Sequence, residues 1–278
     1  MNVLEFTLVV WVIAALAGFV GALTGLGGGI IITPALTLLF GVDIRYAIGA
    51  TLVGVIATSS GAAAAYVREG YTNIRIGLFL EIGTTLGAIG GAILATAVPT
   101  AALAVIFGSV LLYSAWQTVR PGRASAAAEA PDPLATRLRM NSTYPTPEGP
   151  RAYQVQGVGY GFGLMAGAGA ISGLLGIGSG AFKVLAMDRA MKLPFKVATT
   201  TSNFMIGVTA AASAGVYLNR GYIDPGLAMP VMLGVLLGSM LGAKLLAAAR
   251  TKVLRALFGL VLVVIAIQMI YSGLKGAL

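Results

Sequence analysis

Thr24-Gly25-Leu26-Gly27-Gly28-Gly29-Ile30-Ile31-Ile32-Thr33-Pro34 cuts an apolar run that extends from Val3 to Phe40. Gly173-Leu174-Leu175-Gly176-Ile177-Gly178-Ser179-Gly180-Ala181-Phe182-Lys183-Val184 cuts a second run, from 153 to 187. A bilayer-spanning helix needs about 20 apolar residues, so each run is too long for one span. A helix that stops at membrane depth leaves up to four backbone groups unpaired at each broken end. Lipid cannot satisfy them, so such breaks must face protein or a wet cavity.

The rest of the chain fits a membrane setting. Of 278 residues, 58% are hydrophobic and 10% charged, and the mean hydropathy is +0.91. Soluble domains carry about 25% charged residues, so an all-α polytopic membrane protein is expected. His and Cys are both absent. This removes imidazole bases, thiol nucleophiles, disulfides and His/Cys metal sites, and neither a metal nor a cofactor is expected. The net charge of +9 reads as the positive-inside rule rather than as nucleic-acid binding.

Further apolar runs occupy 46–67, 76–97, 101–119, 197–218, 225–248 and 254–273. Between the halves, 120–152 is rich in Arg and Pro and reads as a solvated loop. The expected organisation is a first transmembrane repeat over 1–119, a linker over 120–152 and a second repeat over 153–278. Ala15-Leu16-Ala17 looks like a cleavage site, but Glu5 stands where a signal peptide would be basic, so the segment is read as mature protein.

A shift of 151 positions aligns the halves without a gap from Gly27 to Gln117. Gly27 and Gly29 meet Gly178 and Gly180; Tyr66, Gly70 and Tyr71 meet Tyr217, Gly221 and Tyr222. Gly83, Gly87 and Gly91 meet Gly234, Gly238 and Gly242. Duplicated membrane folds with Gly-interrupted helices at matching positions are a transporter signature, with the site at the repeat interface.

Charge orients the halves. If each broken run leaves on the side it entered, as a re-entrant or double-span hairpin, the second half is inverted. Thirteen loop Lys and Arg then gather on one side, against Arg45, Arg220 and Lys275 on the other. If each run crosses once, the basic residues divide almost evenly. The positive-inside rule selects inverted repeats, each a broken hairpin plus three transmembrane helices. Both termini are expected outside the cell (inner) membrane and the 120–152 loop in the cytoplasm.

The two glycine stretches, with the later Ala198-Thr199-Thr200-Thr201-Ser202 segment and the Gly-rich third helices, resemble the duplicated motifs of the TauE/SafE family, sulfite exporter-like permeases of sulfur-containing anions. The resemblance covers both halves. It implies movement of sulfite, sulfonates or related small anions across the cell membrane. Two positions depart from the pattern: Ser179, where the family runs Gly-Gly-Gly, and Leu185, in place of the proline found at Pro34.

Candidate substrate-binding residues follow from the breaks. Helix N-termini attract anions through free N–H groups and the helix dipole. Gly27, Gly28 and Gly29 in one half, and Gly178, Ser179 and Gly180 in the other, would open the second hairpin arms toward such an anion. Lys183 lies about one turn into the second arm, where charge is costly and usually functional; snorkelling or pairing with Asp188 are the alternatives. Thr51 and Ser202 occupy equivalent positions, with Asn203 beside the latter, and offer hydrogen-bond donors or helix–helix bonds. Glu81, mid-helix, is the candidate for proton coupling, or else a structural carboxylate paired with Lys244.

The expected function is secondary transport of a small anion by alternating access. An anion channel lined by the same helix ends is the second reading. An enzyme is not expected, because too few groups remain to carry chemistry. The lipid bilayer is the obligatory partner, and a homodimer is an allowed assembly.

Overall fold

A computed structural model describes residues 2–24, 28–68, 70–119, 132–146, 148–178, 180–245 and 251–276. The first half comprises α1 (Val3–Thr24), α2 (Gly29–Phe40), α3 (Ile44–Arg68), α4 (Ile74–Ala97) and α5 (Thr100–Val119). A short helix, α6 (Pro133–Arg137), and a hairpin of β1 (Ser142–Thr146) and β2 (Gly149–Tyr153) lead into the second half. There α7 (Val158–Leu175) is followed by α8 (Gly180–Leu185), a π-helical turn (Ala186–Ala190), α9 (Phe195–Asn219), α10 (Pro225–Leu245) and α11 (Thr251–Leu274).

Four of the described helices, over Val3–Ala22, Ile74–Ala97, Val158–Leu175 and Pro225–Gly242, are long and apolar enough to cross a membrane. Their burial is arranged as lipid requires. Along α4, Leu78, Ile82, Leu86, Ile89 and Ile93 form an exposed apolar face, while Leu80, Thr84, Ala88 and Gly91 are buried. On α10, Met229, Leu233, Leu237 and Met240 repeat the outward face. A helix that is apolar outward and small or polar inward suits a hydrocarbon solvent.

The halves interlock. α1 packs on α10, and α7 packs on α4. On α10, Gly234 approaches Trp11 to Ala15, Gly238 approaches Ala15 and Phe19, and Gly242 approaches Phe19 and Ala22, so α1 and α10 run in the same direction. Likewise Gly83 meets Phe162, Gly87 meets Ala166 and Gly91 meets Ala170, so α4 and α7 run together. A Cβ on Gly87, Gly91 or Gly173 would fall within about 2 Å of a facing carbonyl oxygen. These glycines therefore let two backbones touch.

Further pairs extend the pattern. Gly49 lies on Tyr222 and Gly54 on Val231 and Val235, so α3 runs with α10. Asn73 bonds Thr201, Gly77 touches Phe204, and Glu81 is reached from Thr209, so α4 runs with α9. In contrast, Gly108 meets Ala266 and Ile270 while Gly273 meets Ala101 and Val105, so α5 and α11 run opposite ways. The turns after α3 and α9 are matched in conformation. Gly70 and Gly221 both adopt left-handed geometry, φ 73° and 75°, which L side chains rarely reach.

In each broken run the arms are unequal. At about 1.5 Å per residue, α1 is about 33 Å long and α2 about 18 Å. α7 is about 27 Å and α8 with its π turn about 17 Å. Only the long arms match a bilayer core of about 30 Å. The departure at Leu185 has a structural counterpart: α2 carries Pro34 inside a continuous helix, whereas α8 ends at Leu185 and gives way to the π turn.

The expected solvated loop is partly a folded cap. Residues 120–131 lie outside the described ones; Asp132 leads into α6 and then the hairpin, whose register pairs Ser142 with Tyr153 and Thr146 with Gly149. Ala135, Met140, Tyr153 and Val155 are buried in one cluster with Ile76, Leu80, Met187, Met191 and Leu193. The polar composition hid this because the cap has few apolar residues of its own and borrows its core from the ends of the membrane helices.

Candidate functional site

The two glycine breaks come together around α3. Gly28 precedes α2, and its carbonyl accepts from the N–H of Ile31 at 3.2 Å and of Ile32 at 3.4 Å. A Cβ on Gly29 would lie 2.8 Å from Val55 Cγ2, 2.9 Å from Thr51 Cγ2 and 3.3 Å from the Gly176 carbonyl oxygen. A Cβ on Gly178, which has φ 70°, would lie 3.2 Å from Val55 Cγ1 and 2.9 Å from Ile206 Cγ2. Val55 thus touches the break of one half and the break of the other. Gly27 and Ser179 lie outside the described residues.

The hydroxyls expected at the site are buried here. Thr51 accepts a bond from Thr33 at 2.9 Å. Its repeat equivalent, Ser202, donates to the carbonyl of Gly180 at 3.3 Å, fastening α9 to the first turn of α8. Both are fully buried. The Asn203 carbonyl accepts from Ser59 Oγ at 2.6 Å, and the Gly207 N–H donates to the same oxygen of Ser59 at 3.0 Å. α3 and α9 are therefore pinned together beside the breaks.

Lys183 has 0% exposure, so it does not snorkel to an interface. Its ammonium donates to Thr209 Oγ1 on α9. Thr209 in turn lies 2.6 Å from Glu81 Oε1 on α4, to which it donates, and Thr85 donates to the same carboxylate oxygen at 3.2 Å. Glu81 is 7% exposed, and its Oε2 is buried with no hydrogen-bond partner among the described residues. The side chain of Lys244, the other partner considered for Glu81, lies outside the described residues. The result is a buried cation–hydroxyl–carboxylate relay that joins the two halves. Its hydroxyl was not singled out from the sequence, although Ser202, Ile206 and Thr209 follow the i, i+4, i+7 spacing of one helix face.

A second polar centre, Asn73, closes the end of α4. Its N–H donates to Thr201 Oγ1 at 3.0 Å, and its Oδ1 caps the helix by accepting from Ile76 at 3.1 Å. Its Nδ2 donates to the Met140 carbonyl and to Tyr153 Oη, both at 2.8 Å. Asn73 therefore ties α4, α9 and the cap in one place. Asp132 does similar work on α7: its carboxylate accepts from Leu134 at 2.8 Å and from the first-turn N–H of Val158 at 2.9 Å.

Comparison with known proteins identifies the family. The family model for the sulfite exporter TauE/SafE matches residues 10–269. Probable membrane transporter protein YunE of Bacillus subtilis (strain 168) is 29% identical over 270 residues, covering 95% of this chain and 97% of its own. Probable membrane transporter protein YdhB of the same organism is 29% identical, covering 85% and 87%. A probable membrane transporter protein of Xylella fastidiosa (strain 9a5c) is 27% identical, covering 93% and 92%. No solved structure matches the chain. With the family pattern spanning nearly its whole length, the chain belongs to the sulfite exporter TauE/SafE family and is a multi-pass membrane transporter.

Proposed function

We propose that the chain is a secondary transporter of small anions of the sulfite or sulfonate type. It works by alternating access of two inverted halves around a site at the paired glycine breaks. The observation that carries this reading is the meeting of the breaks, with Gly29 against the Gly176 carbonyl and Val55 between Gly29 and Gly178. Broken-helix N-termini from two halves, converging where hydroxyls and a lysine are buried, suit an anion.

The helix directions support inversion. α1, α3 and α10 share one direction, α4, α7 and α9 run together, and the equivalent helices α5 and α11 oppose each other. Since α1 and α3 point the same way, the short arm α2 acts as the returning limb of a hairpin, and the unequal arm lengths suit a half-membrane re-entry. The charge asymmetry supports an inner-membrane orientation with both termini outside and the cap on the cytoplasmic side. No Gly-Lys-Ser/Thr phosphate loop occurs in the sequence, so the driving force is an ion gradient or the substrate's own.

Proteoliposomes loaded with the purified protein test the proposal. Saturable uptake of labelled sulfite or methanesulfonate that responds to an imposed gradient supports it. Replacing Thr51 and Ser202 with Val and Ala should lower that uptake. Unitary anion currents would instead favour a channel lined by the same helix ends. No transport of any small sulfur anion would refute the substrate class.

A further inference from the structure

The relay between Glu81 and Lys183 has a charge balance that constrains coupling. Lys183 sits on the short arm α8, fully buried, and its ammonium bonds Thr209. Thr209 and Thr85 both donate to Glu81 Oε1, while Oε2 has no partner among the described residues. α4 packs against α7 and α9. Among the described residues, Lys183 is the charged group that faces Glu81. The other titratable groups of those two helices are engaged or remote: Tyr160 is exposed, Lys196 lies over the Tyr71 ring, and Tyr217 bonds the Gly173 and Leu174 carbonyls.

Among the described residues, one buried positive charge, Lys183, balances one buried negative charge, Glu81. With Glu81 ionised, a monoanion entering beside Lys183 would leave one uncompensated negative charge in a low-dielectric interior, which is strongly disfavoured. With Glu81 neutral, Lys183 is free to balance the anion. A buried unpaired carboxylate oxygen calls for an explanation, and Oε2 is where a proton can add without breaking either hydroxyl bond to Oε1.

We infer that anion binding and protonation of Glu81 at Oε2 are one linked event, in which Lys183 passes from the carboxylate to the anion and one proton crosses with each anion in the same direction. Resting on the transport function proposed above, this assigns the sign and stoichiometry of coupling and gives Lys183 both partners in turn. The proton comes from water on the side to which the site is open, bonds Oε2, and leaves from Oε2 on the other side as the anion departs. No other bond is made or broken. The π turn that follows α8 supplies a helix segment of weaker regularity beside the moving charge, as π segments do at many functional sites.

Calorimetric titration of the purified full-length protein with methanesulfonate tests the inference, because a sulfonate keeps its charge across the working pH range. Two buffers of different ionisation enthalpy report protons taken up. The expected result is an uptake approaching one proton per anion on the alkaline side, with affinity falling about tenfold per pH unit there. Glu81→Gln should bind with an affinity that no longer varies with pH and with no proton uptake. The double variant Glu81→Gln with Lys183→Met leaves no lone buried charge and should fold but lose binding. Wild-type binding without proton uptake, or pH dependence that survives Glu81→Gln, would overturn the linkage while leaving the anion transporter intact. If neither methanesulfonate nor sulfite binds at any pH, the substrate class and the linkage fall together.

Discussion

Two glycines three residues apart on α4 give opposite forecasts for the same substitution. In Gly87→Ala the new methyl would sit 2.0 Å from the Ala166 carbonyl oxygen and 2.9 Å from both the Ala166 carbonyl carbon and the Ala170 nitrogen. Ordinary contact begins at 3.4 Å, so α4 and α7 must part by roughly 1 Å in a packed interface. Overpacking of this kind costs about 1–3 kcal/mol, and a clash with backbone belongs at the upper end. Alanine returns up to ~1 kcal/mol of helix propensity. The net loss is therefore about 2 kcal/mol, or roughly 4–8 °C in melting temperature for a chain of this size. At Gly90, by contrast, an added methyl would meet nothing within 4 Å, and the residue faces outward. Gly90→Ala should be neutral or slightly stabilising. Both variants can be compared with wild type by thermal unfolding in one detergent at one scan rate, read as the remaining monodisperse peak on size exclusion. A Gly87→Ala protein that melts with the wild type, or a Gly90→Ala protein that falls as far, would refute the close-packing account of the α4–α7 seam.

Removing one member of the buried pair should hurt more than removing both. Lys183→Met alone strands the Glu81 carboxylate and should cost about 3–5 kcal/mol, whereas adding Glu81→Gln should restore most of the loss; a thermal-unfolding cycle measures the coupling. Asn73→Ala removes a helix cap and the bonds to Met140 and Tyr153. It should loosen the cap by about 2–4 kcal/mol, read as faster proteolysis within 132–157. At Asp132 the bond from the Val158 N–H, helped by that from the Leu134 N–H, holds the carboxyl below the usual carboxylate range and outweighs partial desolvation. A lowered folded pKa gives stability that is present above the unfolded value of about 4 and lost as pH falls through the folded one. The protection factor of the Val158 amide, its exchange rate taken relative to the intrinsic rate at the same pH, should therefore fall on acidification in wild type, and Asp132→Asn should remove that acid-dependent step. Reporter fusions should place both termini outside; two cytoplasmic termini would reverse the orientation.

Much of the scaffold was legible because it rests on composition and spacing. Apolar run length marked the membrane segments, and the repeat alignment matched Gly87 and Gly91 with Gly238 and Gly242, whose four-residue spacing puts small residues on one helix face. The left-handed turns at Gly70 and Gly221 sit where the repeat alignment matched Tyr-x3-Gly-Tyr. The cap was not legible: its hairpin is short, its buried residues are scattered, and its core lies mostly on other elements. Asn73 also escaped notice, because a single polar residue between helices looks the same whether it faces water or ties three elements together.

The candidate site divides along the same line. The sequence by itself determined that this is a helical membrane protein with two apolar runs cut by glycines, and it marked Lys183 and Glu81 as ionisable residues within apolar segments. That follows from local chemistry: lipid tolerates few charges and no open backbone. Only the tertiary structure decided that the breaks meet at Val55 and that Lys183 faces Thr209 and Glu81. Those contacts join α3 to both broken runs and α4 to α8 and α9, and side chains 26 positions apart, as Lys183 and Thr209 are, or 128 apart, as Thr209 and Glu81 are, carry no periodic signal of their approach. Packing across the two halves sets which buried charge answers which.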